Sequence, residues 1–491
     1  VLSSPARETF REVATGVHAL KVTGAASGDK IVVRTIPEIF NYCPANPVVK
    51  ENGSYDWAFQ KRHVLNAVTT MNGGPQPGEA ELAAYRASGR KWAANLITRD
   101  PKDDADIGVR LAQCVGMTGA KFDGVSCDEQ FCGRDEVNSR YMLGLRAYDL
   151  EAKPERGIYT WLVGKPLSGI FDPEFLADCA NASLGRSMVL TETYCRTKGT
   201  EAEARAYIDT YIRETMRRYK SAYAGILPSI GMVLGNFVQL PVCSLHHHCQ
   251  VDYKAYLDLQ MHVLANDPEL DGVGLAGYWG SYYIDEETLR WAFKLIRHYC
   301  INGATDSLGE RLGLKYVPGF VTNPNFAKGL DGWTAKGDVA TDRVKKFGEQ
   351  SLGLYGGADG VGDDFAVLTR GETPTRLSQR VTGLEPGRTY CLQFVTFDAD
   401  DARNHVFAPR RFGVTAELGA DAEVDASRSW VHVDRRRTAR YKDMDGGAKI
   451  NLNHVVFTAK KPSLDLVFTD AAAKPGEKTG LNWIYFAKYL K

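Results

Sequence analysis

The chain has 491 residues, and its 60 Lys+Arg balance its 60 Asp+Glu, so the formal net charge at pH 7 is zero. That balance argues against a nucleic-acid partner, which needs a surplus of basic side chains to displace phosphate counterions. With 44% hydrophobic and 24% charged residues, the composition is that of a folded globular chain, long enough for two domains, possibly three. No window approaches eighteen consecutive apolar residues, so no membrane span is expected. The opening VLSSPARETF is not a signal peptide, and a secreted, periplasmic or cell-surface location with the signal removed is the expected one. The ten cysteines form no CxxC pair. Cys127 with Cys132 and Cys243 with Cys249 are spaced to close small loops, and free thiols fit equally.

In chain order, eight apolar runs recur at nearly even spacing: residues 30–40, 63–73, 91–100, 122–131, 157–164, 187–195, 230–237 and 272–280. Nearly continuous apolar runs are the pattern of parallel strands buried on both faces. The segments between them have helical spacing and capping signals, as in PGEAELAAYRASG, DDADIGVRLAQCVG and TEAEARAYIDTYIRETMRRYKSAYAG. After the eighth run, IDEETLRWAFKLIRHYC supplies an amphipathic helix with Leu289, Phe293 and Ile296 at core spacing. The fold class expected is α/β: an N-terminal segment over 1–30, then a (β/α)8 TIM barrel over 31–318. An open doubly wound sheet competes, but no strand is followed by GxGxxG or a Walker loop.

From Phe320 the pattern changes to short alternating strands broken by Gly and Pro, the texture of an antiparallel β-sandwich over 319–491. Asn323-Pro324-Asn325-Phe326, Gly329-Leu330, Gly332-Trp333, Ser351-Leu352, LSQRV and GLEPGRTY resemble the jelly-roll carbohydrate-binding modules appended to glycoside hydrolases. These shared residues are structural, a core Phe and Trp and a Pro-Gly turn, rather than ligand contacts. Pro and Gly in KYVPGFVTNP suggest a linker that proteases would cut near 315–325.

A barrel draws its catalytic groups from the carboxyl ends of its strands. Strand four ends in Asp128-Glu129, strand six in Glu192 with Tyr194, strand seven in Asn236 and strand eight in Tyr278-Trp279. Strand one ends near Glu38, strand three at Arg99-Asp100, and strand five carries Tyr159 and Trp161. Glycoside hydrolysis needs one carboxyl to protonate the leaving oxygen and a second to attack or stabilise the oxocarbenium-like centre. Trp161, Tyr278 and Trp279 are natural platforms for the apolar faces of sugar rings.

FDGVSCDEQF resembles the fourth strand of family 18 chitinases, which carry DGxDxDxE there. Asp123-Gly124 and Asp128 match, while Ser126 replaces the middle acid and Glu129 comes one residue early. The adjacent Asp128-Glu129 is also similar to the pair of family 20 and 123 hexosaminidases. That resemblance implies that the Asp orients a substrate 2-acetamido group as internal nucleophile and that the Glu is the acid. A pairing of strands four and six resembles α-galactosidase-like barrels, and implies Glu129 as acid/base with Glu192 as nucleophile. The clan that places a nucleophilic Glu on strand seven is matched here only by Asn236.

The expected activity is therefore a glycoside hydrolase acting on a carbohydrate substrate, with Glu129, Glu192 and Asp128 catalytic and Trp161, Tyr194, Asn236, Tyr278 and Trp279 on the sugar. A substrate-assisted N-acetylhexosaminidase and a non-catalytic carbohydrate-binding protein are the alternatives. No cofactor and no metal is expected: adjacent histidines such as His246-His247-His248 point to alternating sides, and no second cluster completes a site. Asp285, Glu286 and Glu287 are the reserve acids. Asn52-Gly53-Ser54 and Asn181-Ala182-Ser183 fit the glycosylation pattern.

Overall fold

The computed structural model describes the chain apart from residues 1–7, 11–16, 22, 24–26, 44–45, 75–76, 99–106, 152–155, 164–170, 281 and 436–446. Much of the expected N-terminal segment, and the Arg99-Asp100 candidate, lie outside the described residues. Eight parallel strands close into a barrel: β1 (Glu38–Tyr42), β2 (Thr70–Asn72), β3 (Lys91–Ile97), β4 (Gly124–Phe131), β5 (Gly157–Val163), β6 (Met188–Thr193), β7 (Ile230–Gly235) and β8 (Leu275–Trp279). Neighbours in sequence are neighbours in the sheet, and β1 pairs with β8 from Glu38 opposite Leu275 to Asn41 opposite Tyr278.

Seven of the eight expected runs contain their strand and the first overlaps it, with two shifts. In the first run, Ile31, Val32 and Val33 are 51–71% exposed, and the strand begins only at Glu38. In the second, only Thr70–Asn72 is strand, because His63 already ends the helix Trp57–His63. A β-branched run marks extended chain without marking which part of it reaches the sheet.

Alternation along the strands sorts side chains to two faces. Phe40, Ala93, Tyr159, Trp161, Met188, Leu190, Val233 and Leu275 fill the barrel. Their neighbours, such as Ile39, Val125, Ile158, Val189 and Met232, pack outward on the helices. The last helix, Glu286–Ile296, buries Leu289, Phe293 and Ile296 as its spacing predicts. No helix among the described residues is long and apolar enough to cross a membrane.

The remainder is two antiparallel sheets. One has four strands, among them Arg376–Thr382 and Ser463–Thr469; the other is larger, with Thr389–Asp398, Ile450–Ala459 and Lys478–Lys488 at its centre. Between them lie Phe326, Trp333, Leu377, Phe394 and Phe468, so the Phe and Trp of the sequence motif are core residues whose rings sit 5.6 Å apart.

The outer face of the larger sheet packs on the barrel. Leu240 and Cys249 of the barrel share one apolar cluster with Phe347, Leu352, Trp483 and Tyr485. Beneath it, Lys254 Nζ lies 3.2 Å from Asp252 and 3.4 Å from Glu287, and donates to the Tyr485 hydroxyl at 3.0 Å. The segment expected to be a cleavable linker is docked as well. Asp252 N–H donates to the Tyr316 carbonyl at 2.8 Å, the Tyr316 hydroxyl donates to the Lys198 carbonyl at 2.7 Å, and Phe320 packs on Tyr390 and Phe486. Pro and Gly there shape a turn that is held on both sides, so a clean cut into two fragments is not expected.

Candidate functional site

The carboxyl end of β4 carries the first component. Gly124 and Ser126 face the barrel interior, with Ser126 Oγ accepting the Trp161 indole N–H at 2.5 Å, while Val125 and Cys127 face the helices. Pairing with β5 then slips: Cys127 opposes Thr160, but Gln130 opposes Leu162. Two residues, Asp128 and Glu129, therefore stand opposite the single inward-facing Trp161. Such a bulge brings neighbouring side chains toward one face, where regular alternation would separate them. Glu129 has a φ of 55°, in the left-handed region that non-glycine residues seldom occupy and that costs about 1–3 kcal/mol where it is enforced. The next residue, Gln130, is buried and anchors the bulge by donating to Thr98 Oγ1 at 2.5 Å.

The second component comes from β6, on which Met188 and Leu190 face inward. Glu192 continues their row to the mouth and accepts a hydrogen bond from the Tyr194 hydroxyl. Burial pushes the Glu192 carboxyl up to about 8, and the Asp128 charge adds to the rise, while the Tyr194 bond opposes it. Glu192 is thus protonated at neutral pH and sits within electrostatic reach of Asp128 across the mouth. Tyr194 has room for its ring because β7 carries Gly235 beside it: a Cβ there would lie 2.8 Å from Tyr194 Cδ1.

Aromatic rings line the space between the acids. Tyr42, the last residue of β1, stacks on Trp279 at 5.4 Å and accepts the Asn95 amide at 2.9 Å. Burial raises its phenol to about 12, and Asp128 and Glu192 both add to that rise. Trp279 also meets Phe237 edge-on at 4.5 Å, and Phe237 meets Tyr194 at 4.8 Å.

The structure therefore brings Asp128, Glu129, Glu192, Tyr194 and Trp279 to the same end of the barrel, and gives the other expected residues different surroundings. Trp161 is fully buried below the acids, 5.7 Å from Phe40 and 5.6 Å from Tyr42, and is floor rather than an open platform. Tyr278 alternates to the opposite face from Trp279 and packs on Phe293 of the last helix. Asn236 is buried at the end of β7, its N–H on the Trp279 carbonyl, with no hydrogen-bond partner for Oδ1. Glu38 starts β1 rather than ending it. It lies at the far end of the barrel, accepting from Tyr159 at 2.6 Å and from Thr70, with Lys91 3.9 Å away.

Of the reserve acids, Asp285 caps the last helix through the Thr288 N–H at 2.7 Å, Glu286 lies 3.5 Å from Arg290, and Glu287 belongs to the Lys254 network. The histidine run lies in the seam between the domains. His246 Nε2 bonds the Val251 carbonyl at 2.9 Å with its ring against Trp483 and Tyr485, and His247 Nε2 bonds the Tyr355 carbonyl at 3.0 Å. Burial lowers both imidazoles to about 3, so they are neutral N–H donors to backbone. None of the ten cysteines is in a disulfide, and burial pushes Cys127 up to about 12, far from a thiolate nucleophile.

Sequence reasoning missed Tyr42, Asn95, Phe237 and Tyr355. Tyr42 was within reach, since it is the inward position two residues after Phe40, whereas Tyr355 belongs to the other domain and carries no local signal.

No protein-family model matches the chain, and no curated protein matches it. Among solved structures, a chitinase from Bacteroides thetaiotaomicron is 11% identical and covers 55% of this chain and 98% of its own, with a TM-score of 0.36. AbfB, a family 51 α-L-arabinofuranosidase from Bifidobacterium longum, is 9% identical over 88% of this chain and 96% of its own, with a TM-score of 0.31. TmCBM61, solved with β-1,4-galactotriose, is 13% identical over 34% of this chain and 97% of its own, with a TM-score of 0.20.

Proposed function

We propose that the protein is a glycoside hydrolase whose acid catalyst is Glu192 and whose partner carboxyls are Asp128 and Glu129. The observation that carries this reading is the pair formed across the mouth by a buried carboxyl raised to about 8 and Asp128, whose charge helps to raise it. A general acid must hold its proton at working pH, and a nucleophile or base must not. The roles expected from the resemblance to α-galactosidase-like barrels are therefore exchanged: a carboxyl protonated at neutral pH is a poor nucleophile and a good donor. Glu192 delivers its proton to the leaving oxygen as the glycosidic bond breaks. The carboxylates at the bulge face the positive charge that develops on the sugar ring. Tyr42 and Trp279 supply apolar faces for the ring, and Trp161, held by Ser126, keeps the floor dry.

Hydrolysis of a panel of p-nitrophenyl glycosides by the wild type, Glu192→Gln and Asp128→Asn tests this. Loss in both variants supports the pair, and near-normal rates in both would refute it.

A second reading is favoured by the bulge, which puts Asp128 and Glu129 on one face. In substrate-assisted cleavage of an N-acetylhexosaminide, Asp128 would orient the 2-acetamido group and Glu129 would be the acid. A thiazoline inhibitor and a mild Glu192→Gln phenotype mark that route. Covalent labelling of Asp128 or Glu129 by a 2-fluoro sugar marks a carboxylate nucleophile instead.

A further inference from the structure

Tyr355 is the point at which the second domain enters the barrel mouth. It sits in a loop before the strand Asp364–Thr369, its ring 6.1 Å from Tyr194 and 5.9 Å from Phe237. Those two rings also touch Trp279. Although ringed by aromatics, Tyr355 keeps 44% of its surface exposed. Burial raises its phenol, and the Glu192 carboxylate is the next contribution.

The backbone of this loop is fastened to the barrel. Ser244 N–H donates to the Gly353 carbonyl and Tyr355 N–H to the Ser244 carbonyl, both at 2.9 Å, as a short parallel bridge. His247 bonds the Tyr355 carbonyl, and Arg196 Nη1 donates to the carbonyls of Gly356 at 2.7 Å and Gly357 at 2.8 Å. Glu192, Tyr194 and Arg196 thus follow one another along the same segment: the acid, its hydrogen-bond partner and the clamp on the loop. Gly353 permits the approach, because its φ is +70° and a Cβ there would lie 2.3 Å from the Pro241 carbonyl oxygen. Every one of these fastenings is made to main chain. The Tyr355 side chain makes none of these hydrogen bonds; its ring rests on Tyr194 and Phe237, and 44% of its surface stays exposed near Glu192.

Resting on the glycosidase reading, we propose that Tyr355 is a specificity-determining wall of the sugar subsite beside Glu192, so that substrate binds between the two domains. With Trp279 and Tyr42, Tyr355 would offer apolar faces to a pyranose ring, while the carboxyls meet its hydroxyls and glycosidic oxygen. The C-terminal domain is then part of the active site, whether or not it binds a sugar of its own.

The experiment uses the full chain and the p-nitrophenyl glycoside hydrolysed fastest. Tyr355→Ala should raise KM about tenfold or more, with kcat within about threefold and an unchanged melting temperature. Tyr355→Phe, which keeps the ring, should restore KM to within about threefold. Gly353→Ala, which pushes the loop off Pro241 without altering the tyrosine, should raise KM in the same direction. An unchanged KM in Tyr355→Ala, with Glu192→Gln inactive, would overturn this inference and leave the glycosidase reading standing. If the wild type neither hydrolyses any glycoside nor shows tryptophan quenching by oligosaccharides of glucose, galactose or N-acetylglucosamine, both fail together.

Discussion

Glu192 and Glu287 are both glutamates at the barrel's carboxyl end, Glu287 buried and Glu192 half-buried with its carboxyl desolvated, and their surroundings differ in sign. Burial raises each, Glu192 to about 8 and Glu287 to about 7. Glu287 has a cation 3.4 Å away in Lys254, accepts the Leu490 N–H at 2.6 Å and lies beneath the second domain. Its neighbours are arranged to satisfy it. Glu192 has one phenolic donor, and its closest charged influence is another carboxylate, which makes it harder to ionise. The elevated value alone does not distinguish the two sites; what differs is the nearest charge, a cation for Glu287 and a carboxylate for Glu192, and the proposed catalytic role of Glu192 rests on that difference.

The largest effect that tests this contrast is on rate. Glu192→Gln should lower kcat/KM by ~10² to 10⁴, the usual contribution of a general acid, while Glu287→Gln leaves the rate within about threefold. Steady-state assays on both variants decide it, and a slow Glu287→Gln with a normal Glu192→Gln would reverse the assignment. On stability the order inverts. Lys254→Met strands Asp252 and Glu287 without their cation, a change that typically costs about 3–5 kcal/mol. Urea unfolding should show that loss, and activity per folded molecule should stay close to that of the wild type.

The pH dependence sharpens the comparison further. A donor must be protonated, so the rate should fall as pH rises through about 8, and Glu192→Gln should lack that limb. The same raised value has a stability consequence. The folded state holds the Glu192 proton between its ordinary range near 4.5 and about 8, where the unfolded state has released it, so this stabilising contribution is lost as pH rises across that window. Glu192→Gln removes the slope, and its melting temperature should gain on the wild type from acid to mildly alkaline pH.

A smaller shift is expected from Tyr194→Phe. Losing the hydrogen bond that favours the ionised form should move the alkaline limb upward by up to about one pH unit, ~1.4 kcal/mol. Smallest is Ser126→Ala, which leaves the buried Trp161 N–H without its acceptor and should cost about 1–3 kcal/mol of stability, read by denaturant unfolding. If Ser126→Ala instead abolished activity at unchanged stability, Trp161 would be more than floor.

The barrel and the sandwich were legible in the sequence because each leaves a pattern set by local geometry. Parallel strands buried on both faces give unbroken apolar runs, and antiparallel strands packed on one face give alternation. Phe326 and Trp333 were expected in the core through the resemblance to carbohydrate-binding modules rather than through alternation, and the core holds both. The rule that catalytic groups gather at strand ends put Asp128, Glu129 and Glu192 among the candidates, whereas the Asp128-Glu129 geometry lay beyond it. A period of two predicts that neighbouring residues part company, and only the slip in pairing between β4 and β5, with the left-handed φ of Glu129, sets both opposite the single position of Trp161. Register at single residues also escaped: Glu38 exchanged the mouth for the floor, and Tyr278 turned to the helices, because an apolar run does not say where its strand starts. Contacts between distant parts of the chain left no trace at all. That Lys254 neutralises Glu287, and that Tyr355 reaches the barrel mouth from the second domain, depends on how two separately patterned cores meet, and no local periodicity records that meeting.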